Sequence, residues 1–380
     1  MSINYILFLS RPCCLRYDEV MYKSAIAVII PNWNGIDLIE ECLEALQRQT
    51  LAHTVVVVDN GSVDGSNDVV REKFPEVQLL EFPNNAGFAG GVNRGIRVAL
   101  EQGAEWIALL NNDAVADEHW LEELVAAGAG DERVGMVAAK IVTQDGKKID
   151  STGDFYSVWG FPYPRGRGEV DTGQYDGEEM RDIFGASGGA SLYRASMFRE
   201  IGLFDEHFFA YFEDVDISFR ARLAGWKVRY APEAFVRHYI GGTSSRIGDY
   251  GKDTAVVAPP VDGHVRPSAF ARYHTVKNFS YLYTKNMPGW LYWKYLPRYW
   301  ASFGMMVVSD VRRGLWGSNV KANAVALWHL PAMLVARWKI QARRKVSVGE
   351  IDRRLVHELP PLQRLRFERM GLMRKAKTDE

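Results

Sequence analysis

The chain has 380 residues, of which 47% are hydrophobic and 24% are charged, and its formal net charge is -1. These values exclude a wholly disordered protein and predict one large domain with an appendage, or two domains. The charge is uneven, because the segment from Val265 to Glu380 contains 22 Lys and Arg against 7 Asp and Glu, which predicts that this basic part meets an anionic surface.

The first residues do not resemble a targeting signal. A short apolar run lies near the start, but it lacks the preceding basic segment of a secretory signal. We expect residues 1–23 to be a loose N-terminal extension, with Met21 as a candidate start. The three cysteines, Cys13, Cys14 and Cys42, show neither ligand spacing nor a disulfide framework, which favours a reducing, cytosolic compartment.

Strand and helix patterns alternate through the first third of the chain. Continuous apolar runs typical of buried parallel strands are "AIAVIIP", "TVVVVD", "VQLLEF" and "WIALL". Between them lie segments with helical spacing, the last of which opens with the glycine-rich "GFAGGVNRG". This alternation predicts an α/β domain with a mostly parallel sheet.

Polar clusters follow each of these four strands. They are Asn32 to Asn34, Asp59 to Ser62, Asn84 to Gly87 and Asn111 to Asp113. Ligands of open α/β sheets bind outside the carboxyl ends of the strands. We therefore expect one polar ligand in one crevice at this edge.

The pattern changes after residue 140 to short strands, loops and one helix. "DIFGASGGASLYR" is typical of a glycine-broken strand that a ligand or another backbone can approach closely. "FEDVDISFRARLAG" predicts a helix closed by Gly225, followed by two strands, "WKVRYAP" and "AFVRHY". Residues 240–266 are rich in Gly, Ser, Asp and Pro and predict a mobile loop.

The C-terminal part is basic and aromatic. Residues 281–300 contain Tyr or Trp at eight of twenty positions. Residues 322–336 are apolar but shorter than the roughly 20 residues needed to span a bilayer, and they include Pro331. Amphipathic helices lying at a membrane surface fit this composition. An ordinary helical subdomain or a dimer interface is the alternative.

Several residues of the polar clusters have two interpretations. Asp113 can anchor a divalent cation that bridges a diphosphate while Asn111, on the same side of the strand end, binds a sugar hydroxyl; alternatively, "NND" is a turn. Asp59 can accept from a base or ribose, or form an Asx turn. Arg94 can contact a nucleotide or cover its helix. His238 is either a structural hydrogen-bonding residue or a second metal ligand.

Glu213, Asp214 and Asp216 lie within four positions between aromatic and apolar neighbours. Acidic residues are favoured in the first turn of a helix, so a capped helix start explains them by itself. Desolvating several like charges together also suggests a functional site. Both interpretations remain open from the residues alone.

The motifs "VIIPNWNG", "VVVDNGSVDGS", "NNAGFAGGVNRG", "LLNNDA" and the long segment from "GASGGASLYR" to "HYIGGTS" resemble, in order and spacing, the family 2 glycosyltransferases. The similarity is greatest to the rhamnosyltransferase-like group and covers roughly Ser24 to Arg246. It implies a GT-A fold, a nucleotide-diphospho-sugar donor, a divalent metal (Mg²⁺ or Mn²⁺) and inversion at the anomeric carbon. By this resemblance, residues 24–264 form the catalytic domain, with a nucleotide-binding half (24–115) and an acceptor half (116–264), and residues 265–380 form a helical region.

The resemblance also implies roles for individual residues. Asp214 corresponds to the general base, and Asp113 and His238 to metal ligands. Asn111 stands where the family has the first acid of its D-x-D motif. The expected nucleotide-sugar-binding residues are Pro31, Asn34, Asp59, Asn85, Arg94, Asn111, Asn112 and Asp113. The expected acceptor-side or supporting residues are Glu213, Asp216, Gly188, Gly189 and Arg165, with Arg167 of the same loop, or a merely solvated loop, as the alternative to Arg165.

The resulting functional hypothesis is an inverting transferase that uses dTDP-L-rhamnose. Its expected acceptor is a lipid-linked sugar or a polysaccharide of the cell envelope, and its expected location is the cytoplasmic face of the inner membrane. Peripheral membrane association is expected, a homodimer is possible, and a nucleic-acid partner is not expected. The alternatives are a UDP-hexose or UDP-galactofuranose donor, or a catalytically idle nucleotide-sugar-binding scaffold.

Overall fold

The computed structural model describes residues 25–239, 268–361 and 363–364. The predicted N-terminal extension (1–23) and the predicted loop at 240–266 lie outside the described residues.

A mixed nine-stranded sheet forms the centre of the described residues 25–239. Its strands are β1 (Ile26–Asn32), β2 (Thr54–Asp59), β3 (Gln78–Glu81), β4 (Trp106–Leu110), β5 (Ala114–Ala116), β6 (Val134–Thr143), β7 (Ile149–Ser151), β10 (Ala190–Arg194) and β11 (Lys227–His238). Their order across the sheet is β3-β2-β1-β4-β10-β6-β11-β5, with β7 paired to β6. Two further strands, β8 (Asp154–Tyr156) and β9 (Pro162–Pro164), form a separate hairpin.

The four predicted parallel strands form one half of this sheet. β1 pairs in parallel with β2 on one side and with β4 on the other, and β3 pairs in parallel with β2. The apolar run of β1 is buried on both faces, as expected for a parallel strand covered by helices on both sides. The polar clusters that follow these strands therefore lie side by side at the carboxyl-end edge of the sheet.

The helices of this region are α1 (Ile39–Gln47), α2 (Ser66–Lys73), α3 (Gly87–Glu101), α4 (Trp120–Ala129), α5 (Ala195–Ile201) and α6 (Glu213–Leu223). Gly225, two residues after α6, has a φ of +80°, which agrees with its predicted role in closing that helix. The two predicted strands after α6 are one strand, β11. Its pairing with β6 is interrupted between Ala231 and Phe235 and then resumes, so the segment around Pro232, which lacks an N–H donor, bulges without ending the strand.

Within residues 268–360, the structure describes five helices. They are α7 (Ala269–Asn286), α8 (Leu291–Arg312), α9 (Trp316–Trp328), α10 (Leu330–Ala342) and α11 (Val348–Arg354). Apolar side chains of α7, α8, α10 and α11 share one buried cluster with Tyr156, Phe184 and Phe219. Val356 also bonds through its backbone to Tyr156 and Val158. The helical region is therefore packed onto the face of α6 and the β8–β9 hairpin.

No helix in the described ranges is both long enough and apolar enough to cross a membrane.

Candidate active site

A cavity of about 850 Å³ opens at the carboxyl ends of β1 and β4, next to the start of α6. Its size suits a ligand that is largely enclosed by protein. Strand-end residues form one side, the β8–β9 hairpin a second, and residues 209–215 a third. The start of α7, Ser268 to Phe270, also contributes.

Ten of the predicted site residues line this cavity. They are Pro31, Asn85, Asn111, Asn112, Asp113, Gly188, Gly189, Glu213, Asp214 and His238. Within the part of the chain that the structure describes, five predicted residues do not line it: Asn34, Asp59, Arg94, Arg165 and Asp216.

Asp59 is buried beneath the cavity, where its carboxylate orders the strand ends. One oxygen accepts from Asn32 Nδ2 at 3.3 Å, and the other accepts from the backbone N–H groups of Gly61 and Ser62 at 3.1 and 3.0 Å. Asn32 in turn accepts from Asn112 Nδ2 at 2.8 Å. Asp59 therefore forms the turn considered as its alternative role, and it fixes Asn112 through Asn32.

Asn34 and Arg94 also support the cavity from outside. Asn34 has a φ of 52°, and its side chain accepts from the N–H of Val63. The guanidinium of Arg94 lies 3.8 Å from the centre of the Phe82 ring and donates to Asn60 Oδ1 at 3.3 Å. Asn60 is a lining residue, so Arg94 reaches the cavity only through it.

Arg165 lies away from the cavity because neighbouring backbone oxygens hold its guanidinium. It donates to the carbonyls of Thr152 and Met180, each at 2.9 Å. Arg167, two residues further on, lines the cavity instead, and its Nε lies 2.9 Å from Asp150 Oδ1. Arg167 is therefore the arginine of this loop that can contact a ligand.

Asp113 and His238 come together at the edge of the cavity, although they are far apart in sequence. Register pairing places β11 beside β5, so that His238 lies opposite Ala114. His238 Nε2 is 3.1 Å from Asp113 Oδ1, and His238 Nδ1 is 3.0 Å from Asp150 Oδ2. Burial lowers the pKa of His238, but the two carboxylates outweigh it and raise the pKa to about 9.

Glu213 and Asp214 both line the cavity, but their surroundings differ. Asp214 accepts hydrogen bonds from the N–H groups of Gly188 at 3.1 Å and Val215 at 2.8 Å. Burial raises the pKa of Asp214, and these donors partly offset that rise. Burial and the neighbouring Asp214 raise the pKa of Glu213 well above its usual value, and among the described residues its Oε2 has no hydrogen-bond partner. Asp214 is therefore the better ionised of the two.

The segment before Asp214 has a strained backbone. Phe209, Tyr211 and Phe212 have φ values of 66°, 70° and 70°. Side chains other than glycine rarely adopt this left-handed conformation, and each instance costs about 1–3 kcal/mol. Such strain persists only where surrounding contacts fix the backbone, and the segment forms one wall of the cavity.

Asp216 is fully buried and points away from the cavity. Its carboxylate contacts Arg220 Nε at 2.8 Å, Lys285 Nζ at 2.9 Å and Asn286 Nδ2 at 2.8 Å. The expectation of an acceptor-side role for Asp216 does not match this position, because the carboxylate is enclosed by partners from α6 and α7. Its role is to join the two helices.

Two lining carboxylates were not predicted. Asp150 orients His238, and Asp154 lies at the start of β8, where the charge of Asp214 acts on it. Burial, followed by the charge of Asp214, raises the pKa of Asp154 to about 8. The strand-end signal that identified Asp113 does not mark them, because Asp150 is the middle residue of β7 and Asp154 is the first residue of β8.

Comparisons with known proteins agree with this geometry. A family model described as "Glycosyl transferase family 2" matches residues 27–202. The N-acetylglucosaminyl-diphospho-decaprenol L-rhamnosyltransferase of Mycobacterium tuberculosis is 30% identical over 213 residues, covering 51% of this chain and 68% of that protein. The O-antigen chain rhamnosyltransferase RfbN of Salmonella typhimurium is 24% identical over 271 residues, covering 70% of this chain and 83% of that protein.

Among solved structures, GalNAc-T7 with UDP, GalNAc and Mn²⁺ is similar, with a TM-score of 0.53 and 15% identity. The match covers 78% of this chain and 54% of the other. At this identity the likeness concerns the fold alone, and it confirms the predicted GT-A architecture. The matching family model, the extent of the rhamnosyltransferase similarity and this fold together show that the chain belongs to glycosyl transferase family 2.

Proposed function

We propose that this glycosyltransferase inverts the configuration of the sugar it transfers and uses dTDP-L-rhamnose as donor. The proposed acceptor is a lipid-linked sugar or a polysaccharide of the cell envelope. The names of the two rhamnosyltransferase relatives support the choice of sugar. The main support for the reaction is that Asp214 lines the same cavity as the Asp113–His238 pair and the strand-end asparagines.

In the proposed reaction, an acceptor hydroxyl attacks the anomeric carbon of the donor sugar. A new C–O bond forms as the bond from that carbon to the diphosphate oxygen breaks, and the nucleoside diphosphate leaves. Asp214 accepts the proton of the attacking hydroxyl. Two backbone N–H groups orient its carboxylate, while Glu213, whose pKa burial and the neighbouring Asp214 raise well above its usual value, would remain neutral beside the acceptor.

Asp113 and His238 would hold a divalent cation, Mg²⁺ or Mn²⁺. A carboxylate oxygen and an imidazole nitrogen, 3.1 Å apart at the cavity edge, suit such an ion once His238 releases its Nε2 proton, which the two neighbouring carboxylates otherwise retain. Across the described residues, groups of three or more His, Cys, Asp and Glu side chains that could hold a metal are absent, so the donor's phosphates would complete the coordination. A cation there would stabilise the charge of the departing diphosphate.

The remaining predicted residues would act on the donor directly or through neighbours. Asn111, Asn112, Asn85 and Pro31 line the cavity and are placed to contact the nucleotide sugar. Asn34, Asp59 and Arg94 would act by ordering these strand ends. On the acceptor side, Gly188 and Gly189 line the cavity, and Gly188 allows Phe88 to pack closely beside it, since a Cβ there would lie 2.9 Å from the Phe88 ring.

The C-terminal helices favour a location at an anionic membrane surface, which we propose to be the cytoplasmic face of the inner membrane. All six tryptophans after residue 268 are exposed by 54% or more. The five tryptophans before residue 240 are buried or half-buried. Exposed lysines and arginines, including Arg312 and Lys321, lie on the same helices. Tryptophan and basic side chains are the residues that bind the headgroup region.

A donor panel tests the proposed function. dTDP-rhamnose, UDP-hexoses and UDP-galactofuranose would each be added with Mg²⁺ or Mn²⁺ in a thermal unfolding assay, because a ligand at 100 times its Kd stabilises the native state by about 2.7 kcal/mol. We expect dTDP-rhamnose to raise the melting temperature most, and we expect dTDP to be released when a polyprenyl-diphosphate-linked sugar is then added. A larger rise in melting temperature with a UDP-sugar would identify that UDP-sugar as the donor instead. Binding without transfer to any acceptor would favour the idle scaffold.

A further inference from the structure

The strained segment before Asp214 contacts the C-terminal helical region. The segment is residues 208–212, which we call the catalytic turn. It contains three non-glycine residues in the left-handed conformation, Phe209, Tyr211 and Phe212. Because such a backbone relaxes unless neighbours fix it, the contacts that hold the turn bear on where Asp214 points.

Asn278, in the middle of α7, bonds to three carbonyls of the catalytic turn through one side chain. Its side-chain amide nitrogen lies 2.9 Å from the carbonyl oxygen of Phe208, 2.8 Å from that of Ala210 and 2.7 Å from that of Tyr211. Asn278 is fully buried. The two N–H groups of this amide are therefore shared among three carbonyls that a left-handed turn directs away from regular pairing. Lys277 adds a bond to the carbonyl of His207 at 2.7 Å.

The same face of α7 also packs against the aromatic side chains of the catalytic turn. Phe209 stacks on His274, with ring centres 5.0 Å apart, and meets Phe270 at 6.0 Å. Phe208 meets Tyr281 at 5.8 Å. Residues 270, 274, 278 and 281 recur every three or four positions, so they form one stripe on the helix. The whole stripe faces the turn.

The catalytic turn connects both sides of the cavity. Its last residue, Phe212, is followed directly by Glu213 and Asp214, and the Phe212 carbonyl accepts the N–H of Asp216 in the first turn of α6. The Phe209 carbonyl accepts the N–H of Ala89 near the start of α3. A Cβ on Gly87 would clash with that carbonyl. A shift of the turn would therefore move Asp214, whereas Asp113 and His238 belong to the other side of the cavity.

We propose that Asn278 is a positioning residue for sugar transfer: its amide fixes the left-handed catalytic turn and thereby aims Asp214 into the cavity. The inference rests on the proposed function for the role of Asp214. By this proposal, α7, the first helix of the basic C-terminal region, helps to position the general base in addition to packing that region onto the sheet domain.

The test compares Asn278→Ala with Asn319→Ala. Asn319 is a matched control because it is also a buried asparagine of the helical region, and its amide donates to Asp310 instead of the catalytic turn. We expect Asn278→Ala to lower kcat by about 100-fold, the size of effect seen when a reacting group is misplaced by about 1 Å. Donor KM should change little, because the Asp113 side of the cavity is untouched. Asn319→Ala should retain kcat.

Hydrogen–deuterium exchange of residues 208–214 provides a readout that does not depend on turnover. Exchange there should accelerate in Asn278→Ala and stay at the wild-type rate in Asn319→Ala. Asn278→Ser, which keeps a shorter hydroxyl donor, should restore part of both the protection and kcat, and it replaces Asn278→Ala if that variant does not fold. Unchanged protection of the turn, or equal losses of kcat in the two alanine variants, would overturn the proposal. A wild-type protein that transfers no sugar would refute the proposed function, while the exchange result would still decide whether Asn278 holds the turn.

Discussion

Lys285 on α7 and Asp216 on α6 form a buried ion pair, with the lysine Nζ 2.9 Å from the carboxylate. Asp216 has no exposed surface, and Lys285 also contacts Asp205. The third acid of "FEDVD" thus joins the catalytic region to the C-terminal helices, whereas the second, Asp214, faces the cavity. Two carboxylates two residues apart have separate roles because successive positions at a helix start point in different directions.

Replacing Asp216 by Ala should destabilise the fold. The substitution leaves Lys285 and Arg220 buried with one counter-charge fewer, and breaking a buried pair in this way costs about 3–5 kcal/mol. Urea unfolding would measure the loss. Glu40→Ala is the control, because Glu40 and Lys73 form an exposed pair, whose loss should change the free energy of unfolding by less than about 1 kcal/mol. Equal stabilities of the two variants would contradict the structural role of Asp216.

Asp214→Asn should abolish most transfer while preserving donor binding. The amide has the shape of the carboxylate but cannot accept the hydroxyl proton, and loss of a general base lowers rates by about 10²–10⁴-fold. Glu213→Gln should have a much smaller effect, because Glu213 is expected to be neutral already. Steady-state kinetics with donor affinity by calorimetry would check both. If Glu213→Gln loses as much transfer activity as Asp214→Asn, Asp214 cannot be assigned as the base in preference to Glu213.

The pH dependence of stability should reveal Asp154. The pKa of this buried carboxyl is raised from 3.8 to about 8, so the folded protein keeps a proton that the unfolded chain has already lost. Between these pH values the unfolded state is favoured increasingly as pH rises, by at most about 1.4 kcal/mol per pH unit. Asp154→Asn has no titrating carboxyl and should not lose stability in this way. Urea unfolding at pH 5 and pH 8 should therefore show that the free energy of unfolding of the variant, relative to that of the wild type, is higher at pH 8. An equal difference in free energy at the two pH values would show that Asp154 is not a buried neutral acid.

The parallel half of the fold and the strand-end residues were predictable from the sequence because their signals are local. A continuous apolar run followed by "NND" predicts both a buried strand and a polar edge, and Asp113 lies at that edge. The position of Asp214 also followed from the order of the motifs.

Other features depended on contacts between distant residues. Lys285 lies 69 positions after Asp216, and nothing in "YTKNM" indicates its partner. The choice between Arg165 and Arg167 depended on carbonyl oxygens of Thr152 and Met180. Similarly, Pro232 suggested a strand break, but pairing with β6 on both sides of it keeps β11 continuous.

Asp150→Asn should weaken metal binding without removing a ligand. Asp150 holds His238 through Nδ1 at 3.0 Å, which leaves Nε2 directed towards Asp113. Loss of such an orienting carboxylate typically weakens metal affinity by about 10–100-fold. Titration of Mn²⁺ followed by electron paramagnetic resonance, in the presence of nucleoside diphosphate, would measure the affinity. Asp145→Asn changes an exposed acid in the neighbouring loop and should bind Mn²⁺ like the wild type. If the two variants bind Mn²⁺ with equal affinity, Asp150 does not support the metal site.

Exposed tryptophans of the C-terminal helices should determine membrane binding. Trp328 and Trp338 are 82% and 72% exposed, so replacing both by Ser removes large apolar surfaces without opening the core. We expect the wild type to float with vesicles containing anionic phosphatidylglycerol, and less with neutral vesicles, because basic side chains add attraction of about 1 kcal/mol each near an anionic surface. The double variant should float much less. Val63→Ser, which alters an 86% exposed residue beside α2, is the control and should float like the wild type. If the double variant floats normally but sediments as a smaller species, these tryptophans form a dimer interface instead of a membrane-binding surface.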